Sequence, residues 1–192
     1  MIKNLFANIF YYIFIAFCAL LFFGGSYAFD FYWRPWAYST DEKASLFVGI
    51  WAGEFRDPDG VSKKVTLEIF TPMTKAERFG RALSCNGKSR GKTRKSFEGK
   101  ATVTSVLGEE NYEIYGYFKD TDFQFFYFHQ RIKQALPVAN FYLHQTESDC
   151  QWQGSNLTLI LPFEYQKANG SGFSASDDAR FSYKAKVVMK RL

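Results

Sequence analysis

From Leu5 to Phe23 the chain reads LFANIFYYIFIAFCALLFF, and no charged side chain falls between Lys3 and Asp30. At about 1.5 Å per helical residue this run covers roughly 28 Å, close to the hydrocarbon thickness of a bilayer. Three structures suit such a run. An uncleaved membrane anchor fits its length, which exceeds the roughly 7–15 apolar residues of a signal peptide. A cleaved secretory signal fits Ser26-Tyr27-Ala28, which has the small-x-small pattern of a cleavage site. A buried core helix fits less well, because no polar face exists. Tyr27, Phe29, Tyr32, Trp33 and Trp36 follow the run as an interfacial aromatic belt would, which favours the anchor.

Orientation rests on Lys3 and the terminal amine before the run against Arg34 behind it. The bias places the N-terminus in the cytoplasm and the rest outside, in the periplasm or its equivalent. Both leading readings export the same residues, as a single-pass protein or as a secreted one cut near Ala28. The chain therefore divides into an anchor at 1–29, a linker at 30–45 and one exported domain at 46–192. Of the cysteines, Cys18 lies inside the apolar run, while Cys85 and Cys150 lie in the domain. In an oxidising compartment these two are expected to form a disulfide, worth roughly 4 kcal/mol in the chain-entropy model.

Past the linker, hydrophobic residues alternate with period two. Phe47, Gly49, Trp51, Gly53 and Phe55 share one strand face, and Asp57-Pro58-Asp59-Gly60 makes a turn. Val61, Val65, Leu67 and Ile69 then alternate with Ser62, Lys64, Thr66 and Glu68, the mark of a half-buried antiparallel strand. Further strands are expected at 79–85, 101–107, 112–119, 123–129, 138–145, 157–165 and 181–190, with a helical turn at 131–135. Eight or nine short strands joined by tight turns give an all-β domain, an up-and-down antiparallel barrel or, alternatively, a sandwich.

Gly49-Ile50-Trp51 with the turn after it resembles the opening of lipocalin-like barrels of the calycin group. That resemblance implies a barrel able to hold a small apolar ligand. It also implies that Trp51 packs across the barrel base beside Gly49, beneath a basic residue for which Arg180 is the candidate.

The sharpest local feature is basic: Lys88, Arg90, Lys92, Arg94 and Lys95, with no acid between Arg78 and Lys95. Gly91-Lys92-Thr93 matches the end of a phosphate-binding loop, but the preceding glycine would have to stand at Asn86, and no strand-to-helix transition surrounds it. A nucleotide site is excluded on that ground. The cluster reads as a patch for an anionic surface or as a solvated hairpin tip. With no recognition motif and an exported domain, specific nucleic-acid binding is not expected. His129 and His144, the only histidines, have no metal-ligand spacing, so no metal or cofactor is expected. Glu109-Glu110 and Asp177-Asp178 read as solvated turns.

The sequence thus points to a domain that works by binding and is not an enzyme. Its ligand would be a small apolar molecule, contacted inside by Tyr115, Tyr117, Phe125 and Tyr127, or an envelope protein. A structural or assembly subunit using the membrane helix and the basic loop is the alternative. A hydrolase is a third reading, and needs His129 or His144 in a cleft beside Ser, Asp or Glu.

Overall fold

The computed structural model describes residues 2–73, 77, 94–134, 141–143, 150–166, 172–173 and 179–192; the side chains of residues 2–10, 23, 26, 27, 134, 166, 172 and 173 lie outside the described set. The chain divides into two units, 1–40 with 73–94, and 41–72 with 95–192.

In the first unit, helix α1 runs Ile2–Trp33, four residues further than the anchor expected at 1–29. Pro35 stops it, since the residue before a proline is driven out of helical geometry and proline itself has no amide to donate. The chain turns there, with the amides of Ala37 and Tyr38 donating to the Arg34 carbonyl at 2.9 and 3.1 Å. Every described residue from Tyr11 to Phe22 is exposed. Among the described residues no helix is long and apolar enough to cross a membrane; the described side chains of α1 run unbroken only from Tyr11 to Phe22.

The second unit is all β. Its strands are β1 (Gly49–Arg56), β2 (Ser62–Ile69), β3 (Ser96–Ser105), β4 (Gly108–Phe118), β5 (Phe125–Gln134), β6 (Phe141–Leu143), β7 (Cys150–Gln153), β8 (Asn156–Gln166), β9 (Gly172–Phe173) and β10 (Lys184–Arg191). Neighbours pair antiparallel in the order β10-β1-β2-β3-β4-β5-β7-β8, and β8 pairs back onto β10. Eight strands therefore close into a barrel, with β6 and β9 paired to the far end of β8. Closure removes the free edges that an open sheet would offer for aggregation.

Alternation decides which side chains enter. Val65, Leu67 and Ile69 of β2, Ala101 and Val103 of β3, and Leu157, Leu159 and Leu161 of β8 are all buried. Curvature has its own signature in Gly99 and Gly116. A Cβ at Gly99 would overlap the Glu68 carbonyl oxygen, and one at Gly116 would overlap that of Tyr127 and the Phe97 ring. Only glycine lets adjacent backbones approach this closely, which is how a small barrel bends its sheet. At the same end Phe47 sits edge-on to Phe97, Phe118, Phe126 and Trp152, with centroids 4.8, 4.9, 5.1 and 5.6 Å away. Such T-shaped packing fills this end of the barrel with rings.

Three local expectations are corrected. Residues 131–134 continue β5 as strand where a helical turn was expected. The last strand begins at Lys184, because Ala179–Ser182 forms a short 3-10 helix. Strand β7 was not foreseen, its four residues being too few to show alternation. The strand expected at 79–85 lies outside the described residues, as does most of the one at 138–145.

Candidate functional site

Two groupings of side chains stand out, one inside the barrel and one outside. The inner one is ionic. Lys63 shares the inward parity of Val65, Leu67 and Ile69, and its side chain is 2% exposed. Its Nζ donates to Glu110 Oε1 at 2.8 Å and to the Phe141 carbonyl at 3.2 Å, and lies 3.7 Å from Asp57 Oδ2. The Tyr112 hydroxyl donates to the other Glu110 oxygen at 2.5 Å and accepts from the Leu143 amide at 3.4 Å. Asp57 is held by its own turn, Oδ1 accepting from the amides of Asp59 and Val61 at 3.0 and 2.9 Å.

Physically, the cluster does two things. It pairs and hydrogen-bonds charges that would otherwise be costly to bury. It also satisfies backbone groups of β6, whose Phe141 carbonyl and Leu143 amide are met by a lysine and a tyrosine side chain. Burial, reinforced by the Glu110 carboxylate, pushes the Tyr112 phenol far above its ordinary range. Tyr142 moves the same way for the same reasons. Glu110 is thus no solvated turn residue, correcting that expectation. Its parity with Tyr112 and Ile114 on β4 directs it inward.

The outer grouping is aromatic, and it collects residues expected inside. Tyr115, Tyr117 and Phe125 are exposed and Tyr127 is half-buried, all on the outward face of β4 and β5. Tyr115 opposes His129 and Tyr117 opposes Tyr127 in the β4–β5 register. Tyr115 stacks on His129 at 5.1 Å, Tyr117 meets Tyr127 at 5.5 Å, and the Lys119 ammonium lies 3.6 Å from the Tyr127 ring centroid. The four therefore form a ladder on the barrel wall and do not line its interior. The inward places on these strands belong to Tyr112, Ile114, Gly116 and Phe118, and to Phe126 and Phe128. His129 is a stacking partner in the ladder, and His144 lies outside the described residues.

The remaining expected residues divide. Trp51 is fully buried, its indole N–H donating to the Phe47 carbonyl at 2.9 Å. Gly49 stands at φ +125°, a conformation that favours glycine, and a Cβ there would approach the Arg191 guanidinium to 3.2 Å. Arg191 is also the cross-strand partner of Trp51. The basic residue near the tryptophan is therefore Arg191, not Arg180. Arg180 instead pairs with Asp59 at 2.9 Å and lies 5.7 Å from the Phe141 ring, because the 3-10 helix carries it away from β10.

Of the basic patch, Arg94 donates from Nε to the Trp33 carbonyl at 2.9 Å, and Lys95 donates to the Lys119 carbonyl at 3.0 Å. Lys88, Arg90 and Lys92 lie outside the described residues, as does Cys85. Cys150 is buried at the start of β7. Among the described residues there is no disulfide, so the expected Cys85–Cys150 bridge finds no support here. Also among the described residues, no group of three His, Cys, Asp or Glu is placed to hold a metal ion.

These features define a closed eight-stranded antiparallel β-barrel with a buried ionic cluster and an exposed aromatic ladder. No family model matches the chain, and no curated protein matches it. Among solved structures it is similar to a de novo designed fluorescence-activating β-barrel, at 13% identity and a TM-score of 0.44 over 80% of this chain and 100% of that one. It is also similar to the structure titled EF1p2_mFAP2b bound to DFHBI, at 10% identity and a TM-score of 0.42 over 79% and 100%. Likeness at this level assigns neither a family nor a ligand.

Proposed function

We propose that this is a membrane-anchored, exported β-barrel domain that works by binding, and that it recognises an envelope protein through the outer face of β4 and β5. The observation that carries the reading is the outward ladder of exposed Tyr115, Tyr117 and Phe125 with half-buried Tyr127 on a barrel wall. Contiguous exposed aromatic surface is unusual on a monomer, and aromatic residues are enriched at recognition surfaces. The ladder is bordered by exposed Lys119 and Arg131, by Lys133 paired with Glu113 at 2.9 Å, and by Glu98 opposite Tyr115, so the favoured partner has an apolar centre and a rim of mixed charge.

Anchoring is supported by α1 itself. Its described stretch Tyr11–Phe22 is apolar on every side and exposed throughout. A helix of that kind is stable when lipid covers it. Lys3 ahead of it favours a cytoplasmic N-terminus with the barrel outside.

An eight-stranded barrel is also compatible with holding one small ligand. The weight moves to the surface because rings around Phe47 occupy one end of the interior and the Lys63 cluster occupies the other. A decisive comparison is the size of the native complex in mild detergent for the wild type and for Tyr117→Ser/Tyr127→Ser. The variant should run as the smaller, partner-free species while its thermal unfolding stays within about 1 kcal/mol of wild type, as surface changes do. A wild type that already runs alone would sink the partner reading.

A further inference from the structure

The first unit carries a groove of about 540 Å³ at the foot of α1, lined by Ala28, Phe31, Tyr32, Tyr38, Ser39 and Thr40. Phe31 and Tyr38 make one wall, their rings 5.7 Å apart. The lining is mostly apolar, and the hydroxyls of Ser39 and Thr40 add polar atoms to it. The groove is open along one side, so it suits a chain lying in it better than an enclosed molecule.

Its position names the occupant. Ala28 lies five residues beyond Phe23, the end of the uncharged run. That is about 7.5 Å further along the helix axis, the depth of glycerol and headgroups beside a hydrocarbon core about 30 Å thick. A cation is fixed further along the axis, at the end of the helix and outside the groove's lining. Arg94 donates to the carbonyl of Trp33, the last residue of α1, with its guanidinium 5.6 Å from the Trp33 ring centroid. An apolar trough with hydroxyls in its lining and an arginine nearby has the polarity of a phospholipid, with acyl carbons, ester oxygens and phosphate in that order.

We infer that the groove binds one phospholipid of the surrounding bilayer, with the upper acyl chain against Phe31, Tyr32 and Tyr38 and the headgroup toward Ser39 and Thr40. This rests on the anchored reading of α1 and adds a lipid site to it. Such a lipid would fix the tilt and rotation of the helix in the bilayer.

The test uses the full chain in vesicles of phosphatidylcholine and phosphatidylglycerol carrying a photoactivatable diazirine on the upper acyl chain, with adducts mapped by peptide mass spectrometry. Adducts are expected on Phe31, Tyr32 or Tyr38 as well as along Tyr11–Phe22. Ala28→Trp fills the groove from a helical position and should lower the groove adducts at least fivefold, leaving those along Tyr11–Phe22 unchanged. Thr40→Trp should act alike from the other side, which covers the case in which the first variant fails to fold. Groove adducts that are absent, or unchanged in both variants, overturn the lipid site while adducts along Tyr11–Phe22 uphold the anchor. Absence of adducts along Tyr11–Phe22 as well overturns both.

Discussion

Replacing Lys63 by methionine should destabilise the barrel more than any other single change in the ionic cluster. Lys63 stands between two carboxylates, 2.8 Å from Glu110 and 3.7 Å from Asp57, with side-chain exposures of 2%, 1% and 4% for the three groups. Methionine keeps the apolar stem but leaves two buried carboxylates facing each other without a cation. It also leaves the Phe141 carbonyl without the ammonium that donates to it at 3.2 Å. Breaking a buried pair from one side costs about 3–5 kcal/mol, and a buried carbonyl stripped of its donor about 1–3 kcal/mol. These terms overlap, so about 4 kcal/mol is expected for Lys63→Met. Glu110→Gln is milder. It keeps an oxygen for Lys63, leaves Asp57 as countercharge, and should cost about 2 kcal/mol. Lys63→Met with Glu110→Leu removes that pair, leaves Asp57 to the amides of its own turn, and should recover part of the loss. The assay is denaturant unfolding of the full chain in detergent, followed by tryptophan fluorescence. In thermal scans the first variant should melt roughly 8–16 °C below wild type. A cost for Lys63→Met below about 1 kcal/mol, or no larger than that for Glu110→Gln, would show that the ammonium does not hold the two carboxylates.

Other outcomes follow from the same structure. Because burial raises the Tyr112 phenol above its ordinary value of 10.0, the unfolded chain loses that proton first as pH rises. The stability Tyr112 contributes is then complete below about pH 10 and falls above it, by up to about 1.4 kcal/mol per pH unit. Tyr112→Phe should flatten that alkaline slope in unfolding measured from pH 8 to 11; an unchanged slope would show that Tyr112 does not cause it. Gly116→Ala must push β4 and β5 apart, and is expected to cost about 3 kcal/mol or more, read as a fall in denaturation midpoint. Tolerance of alanine there would contradict the close strand approach. Arg180→Ala should cost under about 1 kcal/mol, since its pair with Asp59 is reached by solvent, at 47% and 25% exposure. A larger loss would mean that Arg180 supports the barrel after all.

An antiparallel all-β domain, barrel or sandwich, was legible because alternation and turn residues survive in most strands, from the Asp57–Gly60 turn to the last strand; closure rests on the pairing of β8 with β10, which alternation does not show. What the sequence hid was facing. On β5 both parities are aromatic, so the inward pair Phe126 and Phe128 could not be told from the outward Phe125 and Tyr127 by hydropathy alone. The neighbouring strand held the missing signal. Tyr115 and Tyr117 share parity with Glu113 and Lys119, which prefer water, whereas Ile114 and Phe118 have the other parity. Lys63 and Glu110 escaped notice because a charged residue is ordinarily a surface residue. Their parity with Val65 and Tyr112 places them inside, where each is tolerable only because the other is present. That coupling joins β2 to β4 across 47 residues of sequence, a pairing that no local pattern can show. Arg180 and Arg191 illustrate the same limit, since which arginine reaches Trp51 depends on where β10 begins.

Recognition of a partner by the outer face of β4 and β5 can be tested in place. The most direct measurement is site-specific photocrosslinking of the full chain in intact membranes, with the photoreactive residue at Tyr117 or Phe125 and, for contrast, at Glu54 or Lys64 on β1 and β2. One discrete adduct of the same mass is expected from Tyr117 and Phe125 and none from Glu54 or Lys64. Equal labelling from both faces, or no discrete adduct from Tyr117 and Phe125, would contradict it.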